Sequence, residues 1–187
     1  MVRYATSNEG KAREASAYLG DTIEAVNVEY PEIQAESFEP IAATGAESAF
    51  AALTGDRPVI VDDAGLSIEA LDGFPGPYSS FVEETLGIDR IANIALAEET
   101  QSATFHCVIA YTDGTQTETF HGQVRGRIVP ARGDGGFGYD PIFEYGDRTF
   151  AEMEPAEKNA ISHRGRALEQ FADWYADQAR GSRSVPE

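Results

Sequence analysis

Apolar and polar positions follow two rhythms along this chain. V-R-Y-A-T at 2–6 is a short stretch rich in strand formers that S-N-E-G interrupts. Ala12, Ala15 and Leu19 then recur at the spacing of one helix face until Gly20. The pattern predicts a strand over 2–6 and a helix over 11–19. Ile23, Val26 and Val28 mark a strand over 22–28, and the alanine-rich stretch 42–53 reads as a helix. P-V-I-V at 58–61 is the compact apolar run of a buried strand ending on D-D-A-G. Leu66, Ile68 and Ala70 next alternate with polar residues, which predicts a separate strand. Residues 78–96 are mostly helical in pattern, with a break at Gly87. Two long runs, 103–112 and 117–129, flank T-D-G-T and read as a hairpin. A last helix over 162–179 has Leu168, Ala172 and Tyr175 on one face. Early alternation of strands and helices, followed by a long hairpin, predicts an α/β fold with a mixed central sheet.

The length of 187 residues suits one domain, residues 1–187. Hydrophobic residues at 42% and charged residues at 25% are ordinary for a globular protein. No apolar run approaches the ~20 residues of a membrane span, and M-V-R-Y-A-T-S-N-E-G lacks a signal peptide's apolar stretch. A single cysteine, Cys107, excludes an internal disulfide and a cysteine-rich zinc site. A soluble, cytoplasmic protein with no membrane partner is the expectation.

Charge changes the picture more. Fourteen Lys and Arg stand against 32 Asp and Glu, a net charge of −18. A field of that sign repels phosphate backbones and argues against a nucleic-acid partner. Only Lys11 and Lys158 accompany twelve arginines. Abundant carboxylates with almost no lysine suggest adaptation to a halophile's salt-rich cytoplasm, where a Debye length of ~3 Å at molar salt screens the self-repulsion.

Four stretches hold candidate chemistry. The first is T-S-N-E-G-K: Thr6, Ser7, Asn8, Glu9, Gly10 and Lys11 lie where a strand turns into a helix. Helix N–H groups, a hydroxyl, an amide and a lysine converge there as an anion site, although Asn8 could simply cap the helix. In D-D-A-G, Asp62 and Asp63 point to opposite sides of a strand, so one faces the crevice beyond the strand ends. A carboxylate there suits Mg²⁺, which binds one or two carboxylates together with phosphate oxygens and waters. The third stretch, G-D-G-G-F-G-Y-D-P, offers Phe137 and Tyr139 as flat faces for a base within a glycine-rich loop. In the fourth, E-K-N-A-I-S-H-R-G, Ser162 caps the last helix. His163 and Arg164 thus fall in its first turn, where cations oppose the helix dipole. His106 and Cys107 are strand neighbours facing opposite ways and cannot share a metal.

Taken in order, these motifs resemble the inosine/xanthosine triphosphate pyrophosphatase family. The matching pieces are A-T-S-N-E-G-K-A-R-E, E-Y-P-E-I-Q, V-I-V-D-D-A-G-L, E-A-L-D-G-F-P-G-P-Y, G-G-F-G-Y-D-P-I-F and A-E-K-N-A-I-S-H-R, from residue 4 to about 168. Their wording is closer to archaeal and eukaryotic members. The resemblance implies two lobes around an active-site cleft and Mg²⁺-dependent hydrolysis of ITP, dITP and XTP to the monophosphate and pyrophosphate. It puts triphosphate binding on residues 6–11, with Lys11 catalytic as well, and Mg²⁺ on Glu32 and Asp63. The attacking water would be deprotonated by a carboxylate, Asp63, or by the metal; Asp62 is expected to matter less, since alternation turns it away from the Mg²⁺. Ala64, Phe137, Gly138, Tyr139, Asp140, Lys158, His163 and Arg164 would contact the nucleotide. The chain departs from the family at Thr44, Ala52 and Ser80, where lysines are common, and at Ala64, where serine is.

Two other readings remain: a pyrophosphatase for other modified nucleotides, of the Maf type, and a nucleotide-binding module without turnover. The H-R pair after I-S argues against the first; the second needs no metal carboxylates. Phe74, Tyr78 and Phe81 near the G-F-P-G-P-Y turn would leave aromatic area exposed in a monomer. The family resemblance implies a homodimer.

Overall fold

The computed structural model describes residues 1–181; the last six positions of the expected domain lie outside them. Seven strands make one mixed sheet: β1 (Val2–Ala5), β2 (Ile23–Val26), β3 (Val59–Ile68), β4 (Ser102–Thr112), β5 (Thr117–Ile128), β6 (Phe143–Tyr145) and β7 (Arg148–Thr149). Their order is β2-β1-β3-β4-β5-β6-β7. β1 runs parallel to both β2 and β3, and every later pairing is antiparallel. Among the described residues there are six α-helices: α1 (Glu9–Leu19), α2 (Phe38–Ala52), α3 (Ser79–Leu86), α4 (Ile88–Leu96), α5 (Pro155–Ile161) and α6 (His163–Gly181). The α/β mixed sheet expected from the pattern is the observed architecture.

Alternation within the strands sorts the core. Even-numbered Tyr4 and Ile60, with Cys107, Ile109 and Phe120, pack under α1 and α6 against Ala15, Ala167, Leu168 and Phe171. Odd-numbered Ala5, Val59 and Val61, with Val108 and Ala110, pack against Ala42, Ala46 and Ala49 of α2. Small residues bring α2 close: a Cβ at Gly45 would lie 3.2 Å from Val61. α1, between β1 and β2, and α2, between β2 and β3, pack on opposite faces of the sheet, which opens a crevice at the strand ends. A third cluster, with Leu66, Ile91, Phe105, Phe143 and Phe150, forms a second lobe around α3, α4 and residues 139–153. The cleft lies between the lobes.

Three expectations need correction. Residues 59–68 are one strand, not two, because Asp62 through Leu66 stay in register with β4 (Asp62↔Ile109, Gly65↔His106, Leu66↔Phe105). Gly65 is there for space: the carbonyl of Gly76 and the Ser79 hydroxyl occupy the place of its missing side chain. α2 starts at Phe38, four residues early, since Pro40 sits in the first turn, where a missing N–H costs nothing. α5 and the β6–β7 hairpin were not anticipated; both are too short for periodicity to register.

Candidate active site

The turn after β1 is tied by its own side chains. The Thr6 hydroxyl accepts from the Asn8 N–H at 3.1 Å, and the Asn8 side chain accepts from the Lys11 N–H at 3.1 Å, capping α1. Both readings of Asn8, as cap and as cleft residue, hold at once, for it lines a cavity of about 800 Å³ with Thr6, Ser7 and Lys11. Glu9 and Gly10 do not line it. Glu9 is exposed, and Gly10 is buried beneath Phe137, whose ring would be 2.6 Å from a Cβ there.

Asp62 and Asp63 flank this turn from β3 and face opposite ways. Asp62 is buried on the α1–α6 side. Tyr4 donates to its Oδ1 at 2.6 Å, Lys11 Nζ lies 3.2 Å from the same oxygen, and Arg164 Nε donates to Oδ2 at 3.1 Å. Burial by itself would raise this carboxyl, but Lys11 and Arg164 outweigh it and hold Asp62 well below the usual carboxylate range. Asp63 faces the α2 side, half-buried, and its Oδ2 has no hydrogen-bond partner. Burial and the like charges of Asp62 and Glu32, opposed by Lys11 and the Ala64 N–H, push it up to about 7.

Glu32 and Ala64 line the same cavity as Asp63. Asp63 thus presents a buried, unpartnered carboxylate oxygen near a second carboxylate, Glu32, that disfavours its ionisation. A divalent ion completed by substrate oxygens and water fits that pair. No group of three or more acidic, histidine or cysteine residues among those described forms a closed metal cage.

At the other end of the cavity the charges are already matched. Lys158 and Arg164, 3% and 2% exposed, reach the wall yet are held by protein carboxylates. Lys158 donates to Asp140 at 2.5 Å and to Glu14 at 2.7 Å, and Arg164 Nη1 donates to Glu14 at 2.6 Å. The Phe137 N–H donates to Asp140, closing the glycine loop, and the Phe137 ring lies 4.6 Å from Lys158 Nζ. Gly138 lines the cavity as expected. Tyr139 also borders it, but as a buried ring tied through its hydroxyl to the Ser79 carbonyl, leaving Phe137 as the available flat face.

His163 is stacked on Phe105, with ring centroids 4.4 Å apart. Burial, reinforced by Arg164 and Lys158, holds its pKa well below 6.5, so the imidazole is neutral. It therefore does not oppose the helix dipole as the sequence suggests. Ser162 does cap α6, its hydroxyl accepting from the Gly165 N–H at 3.1 Å. His106 faces away from Cys107 and stacks on Phe38.

The family profile named Ham1 matches residues 2–174. The chain belongs to the Ham1 family. It is 48% identical over 187 residues to the dITP/XTP pyrophosphatase of Methanopyrus kandleri, covering 96% of this chain and 98% of that one. It is 42% identical to the inosine triphosphate pyrophosphatase of the fungus Ajellomyces capsulatus, covering 94% and 97%. The solved HAM1 protein from Coxiella burnetii superposes with a TM-score of 0.81 at 35% identity, covering 94% and 98%. Archaeal and eukaryotic relatives are thus both present, in line with the motif wording.

Ham1 membership leaves three residues that the motif reading overlooked. Glu14 pairs with both Lys158 and Arg164, and its position three residues after Lys11 on one helix face was the available signal. Tyr30, in E-Y-P-E-I-Q, borders the cavity across Gly45. Asp62, set aside because it turns from Asp63, holds two of the cations. Of the lysine-poor positions, Ser80 lies on the cavity wall.

Proposed function

We propose that this protein is a Mg²⁺-dependent pyrophosphatase that hydrolyses ITP, dITP and XTP to the monophosphate and pyrophosphate, clearing deaminated purines from a cytoplasmic nucleotide pool. The coarser part, an enzyme hydrolysing a phosphoanhydride of nucleoside triphosphates, follows from Ham1 membership and the names its relatives bear. One observation carries the finer part: within a single cavity, Asp63 is an unpaired, easily protonated carboxylate while its neighbour Asp62 is fully compensated.

Lys11 Nζ, with Thr6, Ser7 and Asn8 of the turn before α1, would hold the phosphates. A divalent ion held by Glu32 and Asp63 would supply neutralisation of phosphate charge. Asp63, whose Oδ2 is buried and free of protein partners, would be the general base that takes a proton from the water attacking the α-phosphorus. Phe137 would stack on the purine. Arg164 has five N–H donors, of which Nε and one on Nη1 are engaged, so others can meet the C6 oxygen of hypoxanthine or xanthine. Adenine's C6 amino group would oppose a donor, and each buried group left unpaired costs about 1–3 kcal/mol.

Incubating ITP, dITP, XTP, GTP and ATP separately with Mg²⁺ tests this. We expect monophosphate and pyrophosphate from the first three, poor turnover of GTP, and kcat/KM for ATP lower by ~10²-fold or more. Diphosphate and phosphate as products would overturn the reaction, and absence of turnover would leave a binding module. Phe74, Tyr78 and Phe81, at 41%, 40% and 64% exposed, favour the homodimer; a sedimentation mass near 20 kDa in high salt would exclude it.

A further inference from the structure

The phosphate end and the base end of the cavity are joined by buried charge. Lys11 meets Asp62, Asp62 meets Arg164, and Arg164 meets Glu14, which in turn holds Lys158. Signs alternate at each step. Asp62 is the single link between Lys11, beside the anion-binding turn, and Arg164, on the wall beside Phe137. Its side chain is 1% exposed, so it acts on a ligand only through the groups it holds.

We propose that Asp62 is a positioning residue that couples the two ends, so that base selectivity depends on a carboxylate touching no substrate. This rests on the nucleotide reading above. Asp62 has four neighbouring donors, two on each oxygen. Tyr4 Oη and Lys11 Nζ lie on Oδ1; Arg164 Nε, and Cys107 Sγ at 3.7 Å, lie on Oδ2. Only a carboxylate accepts on both sides. An amide has one acceptor oxygen and one NH₂ donor, so it must present a donor either to Lys11 or to Arg164. Asp62→Asn therefore unlatches one cation whichever way it turns, and removes the charge that both share. Asp63, one residue on, faces the other side of the sheet and cannot substitute.

The test compares wild type with Asp62→Asn. Expected is a fall in kcat/KM for ITP of ~10²-fold, with a smaller fall for ATP, so that the ITP/ATP ratio narrows at least tenfold. In calorimetric or NMR titrations, inosine and inorganic tripolyphosphate should both bind at least fivefold more weakly. A merely structural role would lower ITP and ATP turnover together. An unchanged ratio, or weakened binding of only one probe, overturns the proposal. If Asp62→Asn fails to fold by circular dichroism, Lys11→Met replaces it: a change at the phosphate end should shift the ITP/ATP ratio at least threefold and weaken inosine. Unaltered inosine binding there would defeat the coupling. Wild-type protein inactive on ITP would defeat the proposed reaction instead, and the two binding probes would still judge Asp62. Wild type binding neither probe overturns both.

Discussion

Asp62 and Asp63 are covalent neighbours with opposite fates. One lies on the α1–α6 face, where Lys11, Arg164 and Tyr4 surround it and keep it ionised. The other lies on the α2 face near Glu32, with a buried oxygen that has no hydrogen-bond partner and a pKa pushed up to about 7. Strand alternation alone separates them. The contrast teaches that one side of the cavity has its charges matched by protein groups, whereas the other keeps a buried carboxylate oxygen without a hydrogen-bond partner, the feature on which the proposed cation site rests. Buried carboxylates are kept charged by partners in the first case and driven towards neutrality in the second.

The severest way to break this comparison is to neutralise the unmatched side. Asp63→Asn preserves shape but removes both the proposed cation ligand and the candidate base. Turnover of ITP should fall by at least ~10³-fold, combining loss of general base and electrostatic stabilisation. The melting temperature at pH 8 should stay level or rise, because a half-buried, unpaired carboxylate is gone. A large drop in thermal stability would mean that Asp63 has structural partners after all.

The complementary change touches the matched side. Glu14 pairs with Lys158 and Arg164 and, although burial opposes its ionisation, those two cations keep its pKa low. Glu14→Gln leaves both cations short of a partner in the interior. Removing one member of a buried ion pair costs about 3–5 kcal/mol, which for a protein of this size lowers Tm by roughly 10 °C. A melt indistinguishable from wild type would show that solvent, not Glu14, compensates the pair.

Much of this was legible in the chain. The T-S-N-E-G-K turn, the D-D pair, the glycine loop and I-S-H-R lie in that order, and the fold brings all four to one cavity. Alternation correctly set Asp62 and Asp63 apart. What it does not encode is who waits on each face. Lys11, Glu14 and Arg164 come from helices distant in sequence, so Asp62 reads as idle until α1 and α6 are packed together. His163 looks cationic in a basic cluster, yet burial on Phe105 makes it neutral. β3 looks interrupted at Gly65, but the ladder to β4 overrides a local break. Each miss is a tertiary effect, where long-range packing decides the state of a residue whose local pattern was read correctly.

The smallest expected effect sharpens the comparison without mutating either aspartate. Because the folded-state pKa of Asp63 is raised from 3.8 to about 7, its contribution to stability in the metal-free protein is greatest below pH 3.8 and is lost as pH rises through 7. On the proposed reading a divalent cation would bind the ionised form and reverse that loss. At a free Mg²⁺ concentration about ten times its dissociation constant, binding stabilises the native state by about 1.4 kcal/mol. For this chain length that raises Tm by roughly 3–6 °C at pH 8. At pH 5.5 about 97% of Asp63 would be protonated, which weakens the cation's hold about 30-fold and should nearly abolish the shift. Asp62 stays ionised at both values and contributes no such dependence. Differential scanning fluorimetry with and without Mg²⁺ at the two pH values reads the difference directly. An equal shift at pH 5.5 and 8, or a shift that survives Asp63→Asn, would place the cation elsewhere than on the unpaired face of β3.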